Sequence, residues 1–198
     1  MTVSSAKKGD MNFMETEKHL SLAELEAGMD AVRQSPKDNG VLEMIVRRPQ
    51  DDEREVVVSG ELDPLQGLVG DNWKVRGSKS TADGSANINM QLTIMNSRTI
   101  ALVAQEQERW PLAGDQLYID MDLSVDNLPP GTQLALGTAI IEVSAQPHTG
   151  CWKFSSRFGV DAMKFVNSPE GKQLHLRGIN AKVVQAGRIR VDDIVRKI

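Results

Sequence analysis

The chain has very few of the residues that would indicate an oxidising compartment or a zinc site. Its 198 residues include one cysteine and three histidines. A single cysteine cannot form an internal disulfide, and these four residues form no CxxC or HExxH motif, so a structural zinc site has little support. We therefore expect a chain from a reducing compartment, the cytoplasm.

Long apolar runs and basic clusters are also missing. No stretch approaches the roughly 18–20 apolar residues that span a bilayer, and no apolar run follows the lysines near the start. The 23 Lys and Arg are outnumbered by 27 Asp and Glu, and they form no basic block that could follow a phosphate backbone. We expect neither a membrane nor a nucleic acid as a main partner.

The ordinary composition, 40% hydrophobic and 25% charged, predicts one globular domain with an N-terminal extension. Residues 1–40 are interpreted as a flexible leader, to about residue 18, followed by a helix from Ser21 to about Gln34 with Ser21 and Glu24 as a capping box. A helix this short needs a surface to pack on, either the main domain or a second subunit, so a homodimer is compatible with it. Its apolar stripe consists of Leu22, Leu25, Met29 and Val32.

Residues 41–198 are rich in short β-branched runs separated by Gly, Pro and Asp turns. Residues 41–46 and 55–59 form a predicted hairpin, residues 67–89 a long polar loop, and residues 97 to about 110 a helix that Ser97 can cap. This pattern predicts a mixed α/β fold, mainly β, with a barrel and inserted helices. The other predicted strands are 91–95, 116–123, 133–136, 138–144, 181–185 and 188–195, and the other predicted helices are 153–158 and 160–166.

Cys151 is the strongest candidate for chemistry. It follows a predicted strand and begins a predicted helix, where free backbone N–H groups and the positive end of the helix dipole favour the thiolate form. His148 and Lys153 are close enough in sequence to add positive charge or a proton. The alternative is a buried structural cysteine, since free cysteines are among the most buried residues.

Other polar residues have simpler explanations as well as functional ones. Asp71 and Asp115 follow glycines, so both fit ordinary turns in which the aspartate bonds its own backbone. Asn96 and Arg98 stand at a predicted helix start, where capping is a sufficient role.

The run at residues 146–154, QPHTGCWKF, resembles the cysteine motif of the MOSC family, approximately Q-P-R-x-P-C-x-K-L. Residues 67–71 resemble the family's G-x-x-G-D loop, residues 114–117 its G-E-N-L strand, and residues 187–193 its glycine-containing final turn. The matches occur in family order over roughly residues 55–198. The departures are His148 for the usual Arg, Gly150 for the usual Pro, and Trp73 for a frequent His.

The resemblance implies a β-barrel and a pterin-bound molybdenum whose protein ligand is the motif cysteine. It implies a reductase of small N-hydroxylated compounds that receives electrons from a partner reductase. The alternative that it implies is a non-catalytic sulfur carrier or cofactor-binding module, with a persulfide on Cys151 and a sulfur-transfer partner. The candidate cofactor-binding residues are Asp71, Asn96, Arg98, His148, Lys153 and Arg157.

Overall fold

The structure is a computed structural model that describes residues 19–198. The leader predicted for residues 1–18 lies outside the described residues. Helices and strands alternate irregularly along the rest of the chain. The α-helices are α1 (Leu22–Ala27), α2 (Met29–Arg33), α3 (Trp73–Arg76), α4 (Ser97–Ala104), α5 (Trp152–Phe158), α6 (Val160–Asn167) and α7 (Pro169–Gln173).

The strands form a closed barrel and a small second sheet. They are β1 (Gly40–Arg47), β2 (Glu55–Val57), β3 (Ser59–Asp63), β4 (Gly67–Leu68), β5 (Leu92–Asn96), β6 (Leu117–Asp120), β7 (Gln133–Leu136), β8 (Ala139–Val143), β9 (Ile179–Gln185), β10 (Gly187–Arg190) and β11 (Ile194–Lys197). The barrel order is β1, β11, β7, β8, β9, β5, β6 and back to β1, with β2 paired to β1 outside the ring and β10, β3 and β4 forming the second sheet. Only the β5–β6 pair is parallel among these ladders. The predicted mainly-β barrel with inserted helices is therefore confirmed, as is the first hairpin.

Aliphatic side chains from all seven barrel strands fill the barrel. Strand β1 shows how one strand serves two cores, because Leu42 and Ile45 belong to the barrel interior while Met44 and Val46 belong to the layer outside it. Successive side chains of a strand point to opposite faces. Leu42 and Ile45 nevertheless share a face because the register of β1 on β6 shifts between Leu42 and Met44.

Helices cover part of the barrel and form a second core with it. Helix α1 begins at the predicted capping box, in which the backbone N–H of Ser21 donates to Glu24 Oε2 at 2.8 Å and the N–H of Glu24 donates to Ser21 Oγ at 3.4 Å. Leu25, Met29 and Val32 are buried in this second core together with aromatic side chains of α5 and α6. The predicted stripe packs within its own chain, with Leu22 only partly buried. The single helix predicted for this segment is instead two short helices, α1 and α2, which meet at Gly28.

Two predictions around α4 need correction. The N-cap is Asn96, whose Oδ1 accepts the backbone N–H of Thr99 at 3.0 Å, and Ser97 is the first helical residue rather than the cap. The helix ends at Ala104, well before the predicted end near Trp110. Gln105 follows with a positive φ of 65°, which interrupts the helical backbone, and a separate 3-10 helix begins at Gln107.

The polar segment at residues 67–89 is not wholly loop. It contains β4 and α3, and it buries the Trp73 ring, whose Nε1 donates to the carbonyl of Asn87 at 3.3 Å. The predicted strand at residues 188–195 is two strands in different sheets. Asp192 separates them with a φ of 74°, and Asp193 Oδ2 closes the turn by accepting the backbone N–H of Arg190 at 2.7 Å.

Candidate functional site

Cys151 lies at the start of a helix, as its sequence context predicts. It is the N-cap of α5, with extended backbone (φ −117°, ψ 179°), and its carbonyl accepts the N–H of Ser155 at 3.0 Å. The thiol is free and the residue is exposed. This exposure contradicts the alternative of a buried filler and leaves the sulfur accessible to ligands and reagents.

The backbone before Cys151 is fixed by Asn167 at the end of α6. Its Oδ1 accepts the N–H of Gly150 at 2.9 Å, and its Nδ2 donates to the Gly150 carbonyl at 3.0 Å. A Cβ at Gly150 would lie 3.0 Å from Val166 Cγ2 and 3.1 Å from Asn167 Nδ2. We call these two hydrogen bonds the Asn167 clamp. Proline has no N–H to donate, so the family's usual proline at position 150 could not form the first of them.

Cys151 lies on the wall of a cavity of about 200 Å³, which we call the cationic cavity. Lys153 and Arg157 of α5 line it as well, so the structure brings three of the predicted site residues together. Asp51 and Asp52 also line the cavity and contribute negative charge. Further positive charge comes from three arginines that no sequence motif singles out, Arg48, Arg54 and Arg76.

Asp71, another predicted site residue, forms an ion pair with Arg48. Its carboxylate accepts Arg48 Nε at 2.8 Å and Nη2 at 2.9 Å, which is a bidentate ion pair, and it also accepts the backbone N–H of Arg48 at 3.0 Å. Both side chains are almost completely buried, at 7% and 0% exposed. The N–H of Trp73 donates to the same carboxylate at 2.9 Å. Asp71 therefore combines the predicted turn role with the positioning of a cavity arginine.

Asp52 is shared by the two cations of α5. Its Oδ1 lies 2.8 Å from Arg157 Nη2 and 3.3 Å from Lys153 Nζ. The hydrogen bond and charge of Lys153, followed by the charge of Arg157, lower the pKa of Asp52 below its ordinary value. One carboxylate thus serves two positive side chains, which leaves the cavity with an excess of positive charge.

Arg54 and Arg76 are the least compensated cations of the cavity. Neither forms an ion pair with any residue in the described part of the chain, although Arg54 Nε donates to the carbonyl of Pro111 at 3.1 Å. Burial lowers the pKa of both guanidinium groups, and repulsion from Arg48 adds to the shift at each. A bound anion would relieve this repulsion.

His148 does not add positive charge beside Cys151, which corrects that expectation. Its ring is largely buried, and Nδ1 lies 3.5 Å from Asp115 Oδ1. Burial, then the charges of Arg177 and Arg48, lower the pKa of His148 well below its ordinary value, so the imidazole is neutral at pH 7. Asp115 instead pairs with Arg177, from Oδ2 to Nη1 at 2.7 Å.

Asn96 and Arg98 are not brought to this cavity. Asn96 is buried, and besides capping α4 it donates through Nδ2 to the carbonyl of Met121 at 2.6 Å. Arg98 forms a bidentate ion pair with Asp120, at 2.7 and 2.9 Å, and donates to the carbonyl of Ala31 at 3.1 Å. Asn96 therefore caps α4, as its simpler explanation predicts, whereas Arg98 joins α4 to β6 and α2 through its ion pair and hydrogen bond.

Within residues 19–198, no three His, Cys, Asp or Glu side chains group in a way that could hold a metal ion. None of the helices in that part of the chain is both long enough and apolar enough to cross a membrane.

The model of the MOSC domain family matches residues 83–196. The match contains Cys151, Lys153 and Arg157, whereas Arg48 and Asp71 come from the chain before it. No curated protein matches this chain.

Solved structures of similar fold come from several bacterial proteins. The YUAD protein from Bacillus subtilis superposes with a TM-score of 0.59 at 15% identity, covering 79% of this chain and 93% of that one. YiiM from Geobacillus stearothermophilus gives 0.53 at 14% identity, with 80% and 75% coverage. YiiM from Escherichia coli gives 0.51 at 18% identity, with 80% and 69% coverage. At these identities the likeness is one of fold.

Proposed function

Since this chain belongs to the MOSC domain family, we propose that it is a molybdenum-cofactor-dependent oxidoreductase that reduces N-hydroxylated compounds, with Cys151 as the protein ligand of the metal. The observation that supports this function best is the exposed thiol on the wall of the cationic cavity. A thiolate is a soft metal ligand, and guanidinium groups suit phosphate.

The residues of the cavity fit a pterin cofactor that carries a phosphate. Arg54 and Arg76 have no ion-pair partner among the described residues and repel their neighbours, so an anionic group would be stabilised between them. The cavity volume of about 200 Å³ is below the roughly 300–1,000 Å³ of complete small-molecule pockets. We therefore assign the phosphate-bearing end to the cavity and the metal-bearing end to the exposed sulfur.

Each residue then has a separate task. Arg54, Arg76 and Lys153 bind the phosphate, Asp71 orients Arg48, and the Asn167 clamp fixes the backbone that carries the sulfur. The cofactor, when bound, supplies two-electron exchange with the substrate. Reduction of an N–OH group consumes two electrons and two protons, breaks the N–O bond and releases water. A partner reductase supplies the electrons.

The test is expression in a host that makes the cofactor, followed by measurement of molybdenum per chain and of hydroxylamine reduction. We expect a ratio near one and activity in the wild type, loss of both in Cys151→Ser, and reduced metal in Arg76→Gln. Arg188→Gln, at an exposed arginine outside the cavity, is the matched control and should behave as wild type. Metal-free wild-type protein from such a host would refute the proposal.

A second candidate is a sulfur carrier, which is favoured by the small volume of the cavity beside an exposed thiol. The Cys151 thiolate would attack the outer sulfur of a persulfide on a cysteine desulfurase, forming the Cys151 persulfide and releasing the desulfurase thiolate. Nearby cations would stabilise the persulfide anion. Mass spectrometry after incubation with a desulfurase and cysteine should then show one added sulfur, and an unmodified Cys151 would exclude this role.

A further inference from the structure

A second cavity, of about 470 Å³, shares no lining residue with the cationic cavity. It lies between the end of β8, the start of β9, the loop that leads to Cys151 and the helices α6 and α7. Its volume falls within the range of small-molecule sites, whereas that of the cationic cavity does not. We call it the Lys172 cavity, after the lysine in its lining.

Apolar side chains form most of the wall of this cavity. Val143, Val166 and Ile179 are buried in the fold, whereas Val125 and Pro147 are exposed to solvent. The apolar surface therefore extends from the interior of the cavity to its mouth. A ligand that covers this surface with hydrocarbon would remove it from water, which favours binding.

The lining contains two cations, Lys172 and Arg177, and no Asp or Glu among the described residues. Arg177 is buried and is already neutralised by Asp115 at 2.7 Å. Lys172 is exposed to solvent, and its ammonium forms no hydrogen bond or ion pair with any residue in the described part of the chain. The accessible, uncompensated charge is therefore a single positive one, so it favours a ligand with one negative charge.

The contrast between an apolar wall and an exposed lysine orients the ligand. Burial of an unpaired charge is costly, so the negative group stays near solvent beside Lys172 while the apolar part enters the cavity. We propose that the Lys172 cavity is a binding site for an amphipathic monocarboxylate with a medium-length alkyl chain. Its carboxylate pairs with Lys172 Nζ, and its chain packs on the valine, proline and isoleucine side chains. This site does not depend on the function proposed for Cys151.

Hexanoate and octanoate test the apolar part of the site. Each is titrated into the full-length, cofactor-free protein and followed by ¹H–¹⁵N NMR. We expect saturable one-site binding of octanoate, with shifts at residues 143–149 and 171–180. Octanoate should bind about tenfold more tightly than hexanoate, because two more CH₂ groups are buried. Absence of saturable octanoate binding would overturn the proposal, as would equal affinities, since pairing with a surface lysine alone does not depend on chain length.

Octanoate, octanamide and octylammonium test the charge, since they share one alkyl chain. We expect octanoate to bind about two- to fivefold more tightly than octanamide, which is the scale of an exposed ion pair, and octylammonium to bind most weakly. Lys172→Gln should lower the affinity for octanoate to that for octanamide and leave octanamide binding unchanged. Lys74→Gln, at an exposed lysine outside both cavities, is the matched control and should bind all three as wild type does. Equal binding of the three ligands by wild type, or a retained preference for octanoate in Lys172→Gln, would contradict the proposed ion pair.

Two valine substitutions locate the site. Val125 lines the cavity and is 37% exposed, and Val184 lies outside it and is 39% exposed, so a tryptophan should be tolerated equally at both. Val125→Trp should weaken octanoate binding by about tenfold or more because the indole occupies the cavity, while Val184→Trp should leave it unchanged. Unchanged binding in Val125→Trp would contradict the location.

Discussion

The buried pair between Arg48 and Asp71 allows a quantitative prediction. Asp71→Asn keeps the side-chain shape but replaces a carboxylate that accepts Arg48 Nε, Arg48 Nη2 and the N–H groups of Arg48 and Trp73. Removing one member of a buried pair leaves an uncompensated charge and costs about 3–5 kcal/mol. Asparagine keeps one acceptor oxygen, so we expect a loss of about 3 kcal/mol in unfolding free energy and a melting temperature lower by roughly 6–12 °C.

The assay is equilibrium unfolding in guanidinium chloride beside a thermal melt. Asp30→Asn is the control, because Asp30 pairs with Arg33 at a similar distance, 3.0 Å, but its side chain is 82% exposed. Exposed pairs contribute little in water, so this variant should melt as wild type. A loss below about 1 kcal/mol in Asp71→Asn, or equal losses in both variants, would refute the reasoning that burial makes the Arg48 pair important.

Three further predictions concern Cys151, His148 and Gly178. Cys151 should be alkylated by iodoacetamide in the folded protein at a rate within about tenfold of that in denaturant, and a requirement for unfolding would contradict its exposure. Burial lowers the pKa of His148 in the folded protein, so as pH falls the unfolded chain binds a proton at this histidine before the folded protein does. The free energy of unfolding should therefore decrease as pH drops below about 6.5. That decrease should be smaller in His148→Gln when unfolding is measured across the same pH range. Gly178→Ala should cost about 3 kcal/mol or more, because φ is +104° and the new Cβ would lie 2.2 Å from the carbonyl oxygen of Ile94. Gly131→Ala, with φ +90° and open space, should cost clearly less in the same melt, and equal costs would show that the close contact is relieved.

The parts of the fold that depend on local pattern could be predicted. The capping box at Ser21, the short β-branched strands and the helix start at Cys151 each follow from residues within one turn or one strand. Lys153 and Arg157 are four residues apart on α5 and so share a face, which is why both reach the cationic cavity with Cys151.

The parts of the site and fold that depend on contacts between distant segments of the chain could not be predicted. Three arginines of the cationic cavity come from separate segments: Arg48 follows the end of β1, Arg54 lies in the hairpin loop, and Arg76 lies in the polar segment. Only the packing of these segments against α5 brings the three arginines to one cavity. The burial of the His148 side chain could not be predicted either, because an irregular loop has no repeating pattern that shows which side chains point inward. The division of residues 188–195 between two sheets depends on the turn at Asp192, where a non-glycine residue adopts a positive φ.

X-ray absorption at the molybdenum edge, on protein from a host that makes the cofactor, tests directly whether Cys151 is the ligand of the metal. We expect wild-type protein to contain molybdenum with one more sulfur ligand than any metal retained by Cys151→Ser, because the exposed Cys151 thiolate is the protein ligand. An equal number of sulfur ligands in both proteins, or wild-type protein without molybdenum, would contradict this assignment.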